Sequence, residues 1–379
     1  LYAFIARRGK APQLIDLGPR PAVQTPVQRW LTLVVDRNAD AKERTSAGQR
    51  VRELIWDPIS KHWPQLRVLI VPSALVARVP FAALPAPDER YLVETGYAFH
   101  LLDHERDVTS PAKSKNPSAR MPTLSLIGAP DFTGGSETTG TRGVCSGLRG
   151  ATFAPLPQTA REIDELLKVW TQRPAAVAPI VLTGAEANEA RARAAMPRSS
   201  IVHFATHGMY LGKQCEDAAP DSRGLKTVDT VAPATPDDAQ DLSALVLSGA
   251  NRAAAITEDD GLLTSEEIAT IDMSGTDWAV LSACDSGIGK NTGDEGVFGL
   301  RRAFRLAGVR TVVMSLWPVD DRASADWMVA LYRARLQQHA TTIDAVRAAD
   351  LALIAQRRDA GLDPAPFYWA AFVAAGDWR

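Results

Sequence analysis

From residue 121 to the end, short apolar runs alternate with stretches of helical spacing. The runs are Leu124–Gly128, Ile180–Leu182, Ile201–Thr206, Ala244–Leu247, Trp278–Ser282, Thr311–Leu316 and Trp369–Val373. Between them, apolar residues recur every three or four positions over about 157–170, 185–195, 264–270, 295–307, 321–338 and 341–357. Strand alternating with helix predicts an α/β fold, a mostly parallel sheet with helices on both faces. In such sheets functional groups collect at the carboxyl ends of the strands.

Residues 1–108 follow a different pattern. Strand-like runs near 1–6 and 13–17 lead into helical stretches near 24–37 and 40–60, the second with Val51, Leu54 and Ile55 at helical spacing. The run Arg67-Val-Leu-Ile-Val-Pro72 is short, rich in branched apolar residues and stopped by proline, as a buried strand is. Residues 109–120, rich in Pro, Ser and Lys, sustain neither a helix nor a packed strand and read as a linker. The expected domains are therefore 1–108, the linker 109–120 and a larger domain over 121–379. Inside the larger domain, 213–241 turns rich in Asp, Pro, Ala and Thr. An insertion of that kind is either a functional loop or a disordered one.

A chain of 379 residues suits two domains or one large α/β unit. Its formal charge of −2 gives no global attraction to nucleic acid or to an anionic membrane. No apolar run approaches the roughly 18 residues of a membrane span, so no membrane partner is expected. The three cysteines, Cys145, Cys215 and Cys284, are widely spaced and form no C-x-x-C pair. They indicate neither a disulfide framework nor a zinc ribbon, and they suit a reducing cytoplasm. The chain opens at Leu1 within a strand-like run, which suggests a piece of a longer protein with more sequence upstream.

Two strand ends carry unusual residues. In Ile201-Val-His-Phe-Ala-Thr-His-Gly208, alternation puts Val202, Phe204 and Thr206 on one face and Ile201, His203 and Ala205 on the other. His207 then falls just past the strand, beside Gly208, where a backbone N–H can approach a ligand closely. In Trp278-Ala-Val-Leu-Ser-Ala-Cys-Asp-Ser-Gly287, Cys284 emerges at the carboxyl end of the strand. A thiolate is a strong nucleophile, and a nearby imidazole both lowers its pKa and protonates a leaving amine. The N–H groups of Gly208 and Cys284 are candidate oxyanion donors. Most lone cysteines are small buried hydrophobes. What singles out this pair is that both members stand at strand ends beside small residues.

Other constellations are weaker. His203 and His207 have a zinc-like spacing only on a helix, and here the flanks read as strand, so no metal is expected and His203 reads as a hydrogen-bonded core residue. Gly287-Ile-Gly-Lys-Asn-Thr292 lacks the first glycine and the Ser or Thr after lysine of a phosphate loop, so no nucleotide cofactor is expected. Asp131, Asp285, Asp294, Glu295, Asp320 and Asp321 lie near strand ends. Carboxylates there are solvated surface groups or selectors of a basic P1 side chain. Asp320 and Asp321 are the first candidates for that pocket, and Asp131 the next.

Several longer motifs stand in order along the chain. They are Leu69-Ile-Val-Pro-Ser, Val79-Pro-Phe-Ala-Ala-Leu84, Leu156-Pro-Gln-Thr-Ala-Arg-Glu-Ile, His203-Phe-Ala-Thr-His-Gly208, Leu281-Ser-Ala-Cys-Asp-Ser-Gly287, Glu295-Gly-Val-Phe-Gly-Leu300, Ser315-Leu-Trp-Pro-Val-Asp-Asp321 and Pro366-Phe-Tyr-Trp-Ala-Ala-Phe372. Through them the chain resembles the CHAT domain, a caspase-like peptidase module of bacteria usually found behind tetratricopeptide repeats. The resemblance implies a caspase–hemoglobinase fold in the larger domain, with 1–108 packed on it as a non-catalytic, pseudo-peptidase-like subdomain. It implies that His207 and Cys284 match the family's dyad, with a thioester acyl-enzyme on Cys284. It also implies a protein substrate and an upstream repeat or sensor region as partners.

Two departures limit the transfer. From His207 to Cys284 the gap is 77 residues, against roughly 50 in caspases; the insertion 213–241 accounts for the excess. Ser282 stands where caspases place Gln and metacaspases place Asp, so their pocket chemistry does not carry over. The expected function is a regulated cysteine endopeptidase. The alternative is a catalytically silent scaffold or signalling module that binds a protein partner. A nucleotide switch is a third reading, without a phosphate loop to support it.

Overall fold

The computed structural model describes residues 1–7, 9–73, 75–88, 90–108, 122–133, 152–174, 176–210, 243–252, 259–285 and 295–379, with backbone alone at 210, 283–285 and 295–298. The linker 109–120, the insertion 213–241, Cys145, Cys215, Asp294 and the segment 287–292 lie outside the described residues. The chain forms two compact units, Leu1–Ala119 with Leu316–Arg379, and Arg120–Ser315.

The first unit opens with an antiparallel pair, β1 (Tyr2–Ile5) and β2 (Gln13–Asp16). Helix α1 (Arg20–Val35) carries Pro21 in its first turn, where a missing N–H costs nothing. Its buried residues Val23, Val27, Trp30, Leu31 and Val34 recur at helical spacing. Asp40 caps α2 (Ala41–Val51) by accepting from the amides of Lys42 and Glu43. A wide turn over Arg52–Trp56 leads into α3 (Asp57–Ser60). Strand β3 (Arg67–Ile70) pairs in parallel with β4 (Ala98–Leu101).

The second unit holds the alternation. It runs β5 (Leu124–Pro130), α4 (Pro157–Thr171), β6 (Ile180–Gly184), α5 (Glu189–Ala195), β7 (Ile201–Tyr210), β8 (Ser243–Val246), β9 (Leu262–Thr264), α6 (Ser265–Thr270), β10 (Trp278–Asp285), α7 (Glu295–Leu306) and β11 (Thr311–Ser315). Five strands pair in parallel in the order β11-β10-β7-β5-β6. The antiparallel strands β8 and β9 extend the end of β7.

Helices cover both faces of this sheet. His203 meets Glu162 of α4, so α4 lies on the face of the odd-numbered residues of β7. Phe204 points the other way and meets Phe304 of α7, with ring centroids 6.1 Å apart. Both rings are fully buried, a contact of a kind that stabilises by roughly 1.5–3 kcal/mol per side chain. Gly128 of β5 lets α4 approach: a Cβ there would sit 2.9 Å from Ile163 Cδ1 and 3.0 Å from Ala205 Cβ.

The chain then returns to the first unit through α8 (Asp321–Leu336), α9 (Thr342–Asp359) and β12 (Phe372–Gly376). Strand β12 pairs in parallel with β4, Ala375 opposite Leu101. Trp327 of α8 stacks on Phe372 at 4.5 Å. Ion pairs Arg67–Asp344 and Arg44–Asp363, both 2.6 Å, hold the return in place. Residues 316–379 therefore cluster with the N-terminal residues, whereas the sequence pattern groups them with 121–315. Periodicity reports what a segment forms, not which strand it pairs with. Among the described residues, no helix is long and apolar enough to cross a membrane.

Candidate active site

Strand β7 is longer than its apolar run predicts. Gly208, Met209 and Tyr210 pair antiparallel with β8, and this ladder carries the strand on to Tyr210. His207 and Gly208 consequently lie inside the strand, not just past it. Strand β10 ends at Asp285, so Cys284 is its last residue but one.

The two strands are direct neighbours, and their parallel register pairs Val280 with His203, Ser282 with Ala205, Cys284 with His207 and Asp285 with Gly208. Neighbouring strands lie about 4.8 Å apart. Positions 207 and 284 are thus side by side at the carboxyl end of the sheet, on the face that also presents His203 and Ser282 to α4. Gly208 is flanked by Asp285 on one side and Leu245 on the other.

The environment of His207 defines its tautomer. Its Nε2 lies 2.8 Å from the carbonyl oxygen of Ala154. A carbonyl only accepts, so Nε2 carries the proton, and Nδ1 is the basic nitrogen of the neutral ring. The ring forms a three-ring cluster with Phe132 at 5.3 Å and Phe153 at 5.9 Å, which are themselves 6.0 Å apart. These aromatics belong to an apolar cluster with Met209, Ala244, Val246, Ala250 and Leu262.

The residue before Ala154 is itself held. Asn251 Oδ1 accepts from the Phe153 amide at 2.7 Å, and Asn251 Nδ2 donates to the Phe153 carbonyl at 2.9 Å. The Asn251 amide donates to the Phe132 carbonyl at 2.8 Å. One asparagine therefore ties together the two segments whose aromatic rings pack against His207. Sequence reading missed Asn251, Ala154 and both phenylalanines. A backbone carbonyl has no residue signature, and Asn251 stands in no recognisable motif.

A second polar group lies on the α4 face. Glu162 Oε1 is 2.8 Å from His203 Nε2, and Ser282 Oγ donates to Glu162 Oε2 at 3.0 Å. Glu162 and His203 are 2 % and 0 % exposed, so the contact is dry. His203 is a hydrogen-bonded core residue, as its strand context predicts. Glu162 was missed, although a signal exists: it is a lone carboxylate in the stripe Thr159, Ile163, Leu166, Val169 and Trp170 that α4 buries.

Three carboxylates, Asp320, Asp321 and Asp131, were expected to line a substrate pocket. Asp320 caps α8, accepting from the amides of Arg322 and Ala323 at 3.1 Å, and Asp321 opens the same helix. Both belong to the first unit. Asp131 belongs to the unit of His207 and directly precedes Phe132. Its side chain accepts from the amide and hydroxyl of Thr133, and its carbonyl accepts from Gly249 N and Ser248 Oγ, both at 3.0 Å. Among the described residues, no three His, Cys, Asp or Glu side chains converge as metal ligands.

The family model of the CHAT domain matches residues 45–377. No curated protein matches the chain. Among solved structures, the chain is similar to the Arg-specific cysteine proteinase gingipain R, with 9% identity, a TM-score of 0.45, and coverage of 94% of this chain and 74% of that one. It is similar to the complex of Porphyromonas gingivalis RgpB pro- and mature domains, with 9% identity, a TM-score of 0.45, and coverage of 95% and 77%. It is also similar to a chain of the Saccharomyces cerevisiae separase–securin complex, with 10% identity and a TM-score of 0.41, over 98% of this chain and 21% of that chain.

Proposed function

The chain belongs to the CHAT domain family, and on that premise we propose that it is a cysteine endopeptidase with Cys284 as nucleophile and His207 as proton carrier. The observation that carries this reading is the strand register, which sets position 284 beside a histidine whose Nε2 is already engaged. His207 then takes the thiol proton on Nδ1, and the imidazolium favours the thiolate.

The reaction follows from that pairing. The thiolate attacks the carbonyl carbon of the scissile peptide bond, and the negative charge moves to the carbonyl oxygen. The amides of Gly208 and Cys284 are the proposed donors to that oxygen. As the C–N bond breaks, His207 delivers its proton to the leaving amine and a thioester remains on Cys284. Water then attacks the thioester, His207 accepts the water's proton, and the thiolate departs from the new carboxylic acid. The Ala154 carbonyl stabilises the imidazolium in both halves.

Asp320 and Asp321, and next Asp131, are the proposed selectors of a basic P1 side chain. The substrate is proposed to be a protein, and an upstream repeat or sensor region its regulator. The three widely spaced cysteines fit a cytoplasmic setting. The test is incubation with a diverse peptide library read by mass spectrometry, beside Cys284→Ala and His207→Ala. Cleavage in the wild type that is lost in both variants supports the peptidase. Cleavage that persists in Cys284→Ala removes that residue from the mechanism. Peptides left intact by the wild type, together with a Cys284 of ordinary reactivity, favour the silent scaffold.

A further inference from the structure

We propose that Glu162 is a positioning residue for this dyad, a buried carboxylate that ties the strand of His207 to the strand of Cys284 through His203 and Ser282. The inference rests on the peptidase reading and adds to it a residue on α4.

The geometry is specific. One carboxylate oxygen meets His203 of β7 and the other meets Ser282 of β10. His203 and Ser282 stand four and two residues before the members of the dyad. The carboxylate spans the register pairs His203–Val280 and Ala205–Ser282, and the next pair on the same face is His207–Cys284. Ladder hydrogen bonds set the spacing of the two strands. A bridge from one rigid helix to both strands adds a restraint on their local twist, one register pair below the reacting atoms.

A merely cohesive role is a poor account of this arrangement. An apolar side chain at position 162 would complete the buried stripe of α4 at no desolvation cost. A carboxylate here is tolerable only because both oxygens are engaged, and each partner lies on a different dyad strand.

The test uses the full chain and needs no known substrate. The alkylation rate of Cys284 by iodoacetamide is followed against pH by mass spectrometry, well below the melting temperature of each variant. Ser282→Ala removes one bond and leaves the charge in place. It is expected to slow alkylation at pH 7 by about three- to tenfold and to move the pH midpoint upward. Glu162→Ala is expected to do at least as much. Glu162→Gln restores near wild-type behaviour, because its oxygen accepts from His203 Nε2 and its amide donates to Ser282 Oγ. Variants that melt earlier but keep the wild-type midpoint would overturn the proposal and leave a structural role. A downward midpoint in Glu162→Ala would also overturn it, since loss of a negative charge alone favours the thiolate. A wild-type midpoint at the ordinary thiol value of about 8.5 would sink the dyad itself, and the inference with it.

Discussion

Asn251→Ala probes how the orientation of His207 is supported. The substitution deletes the two bonds to the Phe153 backbone, at 2.7 and 2.9 Å. Each is worth roughly 0.5–1.5 kcal/mol net, so the segment that offers the Ala154 carbonyl loses about 1–3 kcal/mol of local stability. That converts to a local opening equilibrium about 5- to 150-fold more favourable. The Phe153 amide reports it directly, because its hydrogen-bond acceptor is Asn251 Oδ1. Hydrogen exchange of Phe153 should accelerate by that factor, while the amides of β7 and β10 keep their protection. The released carbonyl should no longer orient the ring, so alkylation of Cys284 should slow in parallel. Unchanged exchange at Phe153 would refute the clamp. Faster exchange with unchanged Cys284 reactivity would refute its link to the dyad.

Gly128→Ala should destabilise the fold by about 1–3 kcal/mol, because its Cβ would press on Ile163 and Ala205; a denaturant double-mutant cycle with Ile163→Val, which removes the nearest methyl, should recover part of that loss. Glu189 titrates unusually: burial first, then the carboxylates of Asp260, Glu267 and Asp259, push its pKa up to about 8, against the pull of the Gly261 amide that it accepts. A folded pKa above the unfolded 4.5 means that its stabilising contribution is complete below pH 4.5 and is lost as pH rises through about 8. Glu189→Gln keeps the acceptor for Gly261 and Leu262, so its melting temperature should fall less between pH 5 and 8.5 than that of the wild type. Asp131→Asn should weaken any preference for a basic P1 residue in the library assay. Asp320→Ala should also alter that preference, and it should cost about 1 kcal/mol in unfolding measurements through the lost cap of α8.

The sheet and helices around the dyad were legible because each element carries enough apolar residues to show its period. The stripe of α4 and the run Trp278–Ser282 are examples. Shorter elements escaped. β9, with three residues, is too short for alternation to stand out. The last strand was expected at Trp369–Val373 and lies at Phe372–Gly376, since Pro366–Tyr368 form a tight turn and its final residues, Ala-Ala-Gly, lack the branching that marks strands. The return of 316–379 to the first unit was hidden because parallel pairing joins residues as distant as Leu101 and Ala375. His207 and Cys284 stood out by residue type and position. The contacts around them did not: Ala154 meets His207 through its carbonyl, and Glu162 and Asn251 find their partners only once the chain is folded.

The most direct measurement is labelling of the full chain with a thiol-reactive peptide electrophile, each cysteine quantified by mass spectrometry in wild type and in His207→Ala. The dyad predicts that Cys284 reacts faster than Cys145 and Cys215, and that His207→Ala slows Cys284 at least tenfold without changing the other two. Labelling of Cys284 no faster than its neighbours, or at one rate in both proteins, would contradict it.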